Sequence, residues 1–176
     1  MTRAPRIIPH YTLEDYQHWD GDWELIDGVP IAMSPSPFGP HERIVSRLSF
    51  QLQSQIQKHD CQAEVYTNLD WIVSNDTVIR PDVMVIRGDQ PQRHQESPPA
   101  LVVEVLSDST RRTDLIAKRS IVQENQVGHY LVIDRDPNEI HHLTADGESR
   151  PGLDAVIEIS LCEDCRIELT FGGLFD

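Results

Sequence analysis

A chain of 176 residues, 39% hydrophobic and 25% charged, is long enough to bury one substantial core and too apolar to stay disordered. Its net charge of −14 argues against gripping nucleic acid with the whole surface, because phosphate contacts need Lys and Arg, and leaves room only for a local basic groove. No apolar run reaches the roughly 18 residues of a membrane span, which excludes a helical membrane protein.

The N-terminal stretch MTRAPRIIPHYT lacks the apolar block of a signal peptide, so the expectation is a single domain over 1–176, cytoplasmic and bacterial, with no membrane partner. Three cysteines, an odd count, argue against a disulfide framework. Cys162 and Cys165 form a lone Cys-x-x-Cys without the second pair a structural zinc site needs, and read as a reduced pair near a strand end.

In chain order, Thr12 opens a short helix with Asp15 three residues later. Residues 23–33 show two apolar runs around Asp27-Gly28, a hairpin with a tight turn. A proline-rich loop follows over 34–40. From His41 to about Lys58, Ile44, Val45, Leu48, Leu52 and Ile56 recur at helical spacing. Strands are expected at Ala63–Val73 and Val78–Ile86, joined by the turn Ser74-Asn75-Asp76-Thr77 into an antiparallel pair. The run Ala100–Leu106 is nearly all apolar and reads as a central strand buried on both faces. A second helix is expected from about Asp114 to Gln126, capped by Thr113 and ended by Gly128. His129–Asp134 and Glu139–Thr144 form the next hairpin, and 155–161 and 166–171 supply closing strands. The order predicts an α+β fold, a mixed central sheet flanked by helices with an N-terminal hairpin.

Two acids stand out. Glu104 lies inside Leu101-Val102-Val103-Glu104-Val105-Leu106, where an unpaired charge costs several kcal/mol and demands a partner, a raised pKa or a metal. Asp82, in Arg80-Pro81-Asp82, opens the preceding strand, where aspartate and proline are both unusual. Taken alone, Pro81-Asp82 is equally an ordinary turn. Acids at neighbouring strand ends suit a hard cation, Mg²⁺ or Mn²⁺. Lys118, four residues after Asp114 on the following helix, packs back toward them. Asp82, Glu104 and Lys118 around a divalent ion make a phosphodiesterase, the acids holding the metal and the lysine stabilising charge on the phosphorane.

These residues resemble the Pro-Asp…(Asp/Glu)-x-Lys signature of restriction-endonuclease-like nucleases, and more narrowly the Uma-two family. The matching stretches are Trp23-Glu24-Leu25-Ile26-Asp27-Gly28, Met33-Ser34-Pro35, His41-Glu42-Arg43-Ile44-Val45, Arg80-Pro81-Asp82, and the run from Leu101 to Lys118. Val127–Asp134 echoes the family's Val-Pro-Glu-Tyr-Trp-Leu-Val-Asp, and the likeness covers about 12–144. It implies a restriction-endonuclease-like core and a metal-dependent endonuclease acting on DNA, duplex by expectation, as a homodimer. Leu106 stands where the broader superfamily has its lysine, and the resemblance moves that amine to Lys118. It makes Glu24 an accessory acid and His41 a helix-start residue of the site. Asp108, Gly128 and Leu131 depart from the family pattern, and the C-terminal third follows it poorly.

Arg111 and Arg112, just beyond Glu104, are candidate phosphate contacts, and Arg43 and Arg47 candidates for the same groove. No interleaved aromatic-and-basic stripe of the kind single-strand platforms use is visible in the sequence. Two other readings stand beside the endonuclease: a catalytically silent nuclease-like scaffold acting through protein partners, and a phosphodiesterase on a substrate other than DNA.

Overall fold

The computed structural model describes residues 9–33, 39–107, 111 and 113–176. In chain order the elements are α1 (Leu13–Tyr16), β1 (Trp23–Ile26), β2 (Val29–Ala32), α2 (Gly39–Lys58), β3 (Ala63–Thr67), β4 (Trp71–Ser74), β5 (Thr77–Ile79), β6 (Val83–Arg87) and β7 (Leu101–Val105). A π-helical turn (Thr113–Lys118) then runs directly into α3 (Arg119–Glu124), followed by β8 (His129–Asp134), β9 (Glu139–Thr144), β10 (Gly147–Ser149), β11 (Val156–Cys162) and β12 (Cys165–Thr170). No helix among the described residues is long and apolar enough to cross a membrane.

The central sheet has six strands in the order β10-β9-β8-β7-β6-β3. It is mixed: β7 and β8 run parallel, joined over the top by the π-turn and α3, and the other neighbours are antiparallel. Strand alternation sends Val83, Val85, Leu101, Val103 and Val105 to one face, where α2 buries Ile44, Val45, Leu48, Leu52 and Ile56. Each such side chain contributes about 1.5–3 kcal/mol of burial, which anchors the one long helix to the sheet. The hairpin of β11 and β12 adds Ile159, Leu161, Ile167 and Leu169 to the same layer.

On the opposite face lie Met84, Val102, Tyr130 and Val132, covered by Ile121 and Val122 of α3 and by a smaller sheet. That sheet has the order β2-β1-β5-β4 and presents Ile26, Trp71 and Ile79 inward. Its β1–β2 hairpin turns on Asp27 and Gly28 with φ of 50° and 73°, the pair of left-handed residues that the two-residue turn requires.

Two expected strands prove to be four. Ala63–Val73 divides at Asn68, which takes a φ of 52°, and Val78–Ile86 divides at Arg80-Pro81-Asp82. The result is one long bent hairpin whose base, β3–β6, belongs to the central sheet and whose tip, β4–β5, belongs to the small one. Proline cannot donate a ladder hydrogen bond, so the pairing breaks where the chain must leave one sheet for the other. The second helix also differs: it ends at Glu124, with Gln126 in the left-handed region at φ 55°. Gly128 matters for another reason, since a Cβ there would come within 3.2 Å of the Ala100 carbonyl oxygen. The loop expected over 34–40 lies mostly outside the described residues, and α2 begins at Gly39.

The cysteine expectation is corrected. Cys165 is not a reduced thiol; it is bonded to Cys61, just beyond the end of α2, with their Cα atoms 5.5 Å apart. Sequence spacing hid this pair because 104 residues separate its halves and only the packing of β12 on α2 joins them. Cys162 is the free, exposed cysteine, opposite Cys165 in the hairpin register. A bond closing so long a loop restricts the unfolded chain and contributes about 2–4 kcal/mol. Thermal melts with and without reductant are therefore expected to differ by several degrees, with Cys61→Ser matching the reduced protein and Cys162→Ser matching the oxidised one.

Candidate active site

Strand β7 carries Glu104 on the face shared by Val102 and Leu106, pointing away from α2 and toward the small sheet. There it meets Lys118. The Lys118 Nζ lies 2.9 Å from Glu24 Oε1, 3.0 Å from Glu104 Oε1 and 3.2 Å from Asp114 Oδ1. None of the four side chains is more than 5% exposed.

Three elements deliver this cluster. In β1, Glu24 and Ile26 share one face while Trp23 and the fully buried Leu25 share the other, so strand alternation sets Glu24 on the side of Lys118. The π-turn sets Asp114 and Lys118 four residues apart on the side that faces the sheet. Tyr130, on β8, donates its hydroxyl to the Asp114 carbonyl at 2.8 Å and pins that turn from beneath. A π-turn at a site of buried charge fits the general tendency of such turns to mark functional positions.

Asp82 completes the arrangement. Extending the β6–β7 register by one residue puts it opposite Glu104, and its Oδ2 accepts from the Val105 N–H at 2.7 Å. The same oxygen lies 3.2 Å from His41 Nε2, at the start of α2, and His41 Nδ1 lies 3.2 Å from Glu42 Oε1. Two residues earlier, the Arg80 N–H donates to Glu24 Oε1 at 2.7 Å. The bend at Arg80-Pro81-Asp82 thus holds one acid by its backbone and presents another by its side chain.

The electrostatics are one-sided. Three carboxylates, those of Glu24, Glu104 and Asp114, contact a single ammonium, and Asp82 adds its negative charge beside Glu104. Burial pushes the Glu104 carboxyl well above the usual carboxylate range; Lys118 pulls it back, while Asp114, Asp82 and Glu24 push it further up. For Lys118, burial opposes the charge, but Glu104, Glu24 and Asp114 outweigh it and hold the ammonium well above its ordinary value. His41 behaves alike: burial disfavours its charge, and Asp82 and Glu42 more than restore it, raising the imidazole. The site therefore carries an excess of negative charge that a proton or a cation must offset.

The structure thus brings Asp82, Glu104, Lys118, Glu24 and His41 together. Arg111 does not join them: its guanidinium is forked onto the Asp134 carboxylate at 2.6 and 2.7 Å, at the end of β8. Arg112 and Asp108 lie outside the described residues. Arg43 and Arg47 bond carbonyl oxygens of the C-terminal segment, Arg43 that of Asp176 at 2.6 Å and Arg47 those of Gly173 and Asp176. Asp114 and Tyr130 were not singled out as site residues. Asp114 was visible only as the helical neighbour of Lys118, and no sequence signal ties Tyr130 to a carbonyl 16 residues before it.

A mixed central sheet flanked by helices, with acids at adjacent strand ends, has the architecture of the restriction-endonuclease-like class. The Uma2 family, described as "Putative restriction endonuclease", matches this chain over residues 13–170, and the chain belongs to that family. Among solved structures it is similar to a "putative nuclease belonging to DUF820" from Anabaena variabilis ATCC 29413, with a TM-score of 0.77 and 18% identity, covering 93% of this chain and 97% of that one. At that identity the likeness establishes the shared fold. No curated protein matches the chain.

The charge excess has a measurable consequence. A carboxyl whose folded pKa is raised favours the folded state fully below its unfolded value of about 4.3, and that contribution is lost as pH climbs through the folded value. Denaturant midpoints of the native protein should therefore fall as pH rises above the unfolded value, and Glu104→Gln should flatten that slope. Lys118→Met, which strips three buried carboxylates of their partner, should destabilise the fold by about 3–5 kcal/mol.

Proposed function

We propose that the protein is a divalent-cation-dependent endonuclease that hydrolyses phosphodiester bonds in DNA. The observation that carries this reading is the buried Lys118 ammonium held against Glu104 and Glu24, with Asp82 across the strand pair. An acidic excess of this kind is costly in a fold unless something positive visits it.

The donor set fits Mg²⁺ or Mn²⁺. Asp82 Oδ1 and Glu104 Oε2 accept no hydrogen bond among the described residues, whereas their partner oxygens are engaged. Among those residues no three acidic, imidazole or thiolate groups form a ready-made cage. Mg²⁺ suits such a site, since it is commonly held by one or two carboxylates and completes its octahedron with water and substrate phosphate. When bound, the ion supplies charge neutralisation and acidifies water.

The protein's own groups would do the remainder. Asp82 and Glu104 bind the ion. His41 and the Val105 N–H hold Asp82 in one orientation. Lys118 offers its ammonium to the oxygen that gains charge as the phosphorane forms, and Glu24 and Asp114 keep that ammonium aimed and protonated. Symmetric cutting of duplex DNA would call for a two-fold pair of chains.

The net charge of −14 favours a second reading, a silent scaffold working through a protein partner, because few basic groups are left for phosphate and Lys118 already has three anionic partners. Calorimetric titration of Mg²⁺ and Mn²⁺ and plasmid nicking separate the two. The catalytic reading expects ion binding that Asp82→Ala abolishes, and nicking that Glu104→Ala and Lys118→Ala each reduce about 100-fold or more. Nicking unchanged in both variants, or no ion binding at all, overturns it.

A further inference from the structure

Outside the acidic cluster, α1, the small sheet and the segment after β6 enclose a cavity of about 500 Å³. Its walls include Tyr16, Trp19, Trp23, Arg80 and Arg93. The fold has assembled what the sequence lacks as a continuous stripe: aromatics come from residues 11–23, the arginines from positions 80 and 93.

The aromatic wall is rigid. Trp19 makes edge contacts with Tyr11, Tyr16 and Trp23 at centroid distances of 5.4, 5.6 and 5.8 Å. Tyr16 donates its hydroxyl to the Trp23 carbonyl at 3.0 Å and to Asp70 at 3.1 Å, and the Trp23 indole N–H donates to the Asp20 carbonyl at 2.8 Å. Arg80 is fixed between Asp70 and Asp22 at 2.6 and 2.7 Å. Arg93, by contrast, is exposed and has no ion pair among the described residues, so its charge remains available at the cavity wall.

The cavity also sits at the right place. Trp23 faces it while Glu24, the next residue, faces Lys118 on the other side of the same strand. Arg80 lines it with its side chain while its N–H holds Glu24, and Asp82 follows within two residues, at most about 7 Å of extended chain. Cavity and acidic cluster therefore occupy two faces of one end of the small sheet.

We propose that this cavity binds one unstacked nucleotide of the substrate, its base against the Trp19–Trp23 wall and its phosphate at Arg93. This rests on the endonuclease reading and narrows it to single-stranded or locally unpaired DNA, because a base inside a duplex cannot reach an aromatic pocket. The chemistry explains how so acidic a protein engages nucleic acid. Stacking is independent of net charge and contributes substantially per base, so a single pocket and a single free arginine substitute for a basic surface.

The test uses the full chain with Ca²⁺ in place of Mg²⁺ to hold off cleavage. A fluorescein-labelled oligothymidylate is compared by anisotropy with an abasic chain of equal length and with a fully paired hairpin, and intrinsic tryptophan fluorescence follows the unlabelled oligothymidylate. The native protein is expected to bind the base-bearing strand about tenfold more tightly than the abasic one, with tryptophan quenching. Trp19→Ala should lose that preference, Trp19→Phe should keep most of it, and Arg93→Ala should weaken both single strands with a smaller salt dependence. Equal affinity of the native protein for base-bearing and abasic strands overturns the proposal, and decides it even if Trp19→Ala does not fold. Base-dependent binding without cleavage of either the oligothymidylate or a plasmid in Mg²⁺ upholds the pocket and overturns the cleavage reading. Nicking without base dependence does the reverse, and no binding of any strand overturns both.

Discussion

The structure turns on one buried ammonium. Lys118 lies among Glu24, Glu104 and Asp114, which come from β1, β7 and the π-turn, so a single side chain ties the small sheet, the central sheet and the crossover helix together. Burying a charged group costs several kcal/mol, and only close carboxylates repay it. Each element is consequently positioned by the need to keep this group paired. The π-turn, the Tyr130 hydroxyl beneath it and the inward face of β1 all serve that need.

The second constraint is the bend at Arg80-Pro81-Asp82. A continuous strand would have left Glu24 and Asp82 on unrelated surfaces. Breaking the ladder at a proline lets β5 pair with β1 while β6 pairs with β7, so the Arg80 N–H reaches one acid and the Asp82 side chain faces another. Proline is neither ligand nor catalyst here; it removes a donor exactly once, between two sheets, and thereby sets the acids' relative positions.

Much of this was legible in the residues. The aliphatic period of α2, the apolar run of β7 and the Asp27-Gly28 turn each state their structure locally, because side-chain spacing and turn chemistry need no distant partner. Glu104 was legible for the opposite reason: a charge among aliphatics conflicts with its surroundings. What could not be read were relations between distant segments. Asn68 and Pro81 each look like local irregularities, and only their pairing across the hairpin shows that both strands bend together. Cys61 and Cys165 are brought together by helix packing, and Arg111 finds Asp134 only because β7 and β8 are neighbours. Nothing in either residue's own vicinity signals the other.

The net charge of −14 acquires a different meaning once these relations are known. Arginines that might have formed a basic groove are engaged: Arg111 on Asp134, Arg80 on Asp70 and Asp22, Arg43 and Arg47 on the C-terminal carbonyls. Acidity is thus both a global property and the local character of the site, where carboxylates outnumber the ammonium. A polyanion approaching such a surface meets repulsion unless a cation lies between the carboxylates and the phosphate. Substrate and ion would then bind together or hardly at all, each supplying charge that the other requires. Under the proposed function that coupling would make the protein's acidity compatible with a phosphodiester substrate, since the carboxylates would repel DNA without an ion and accept its phosphate with one between them.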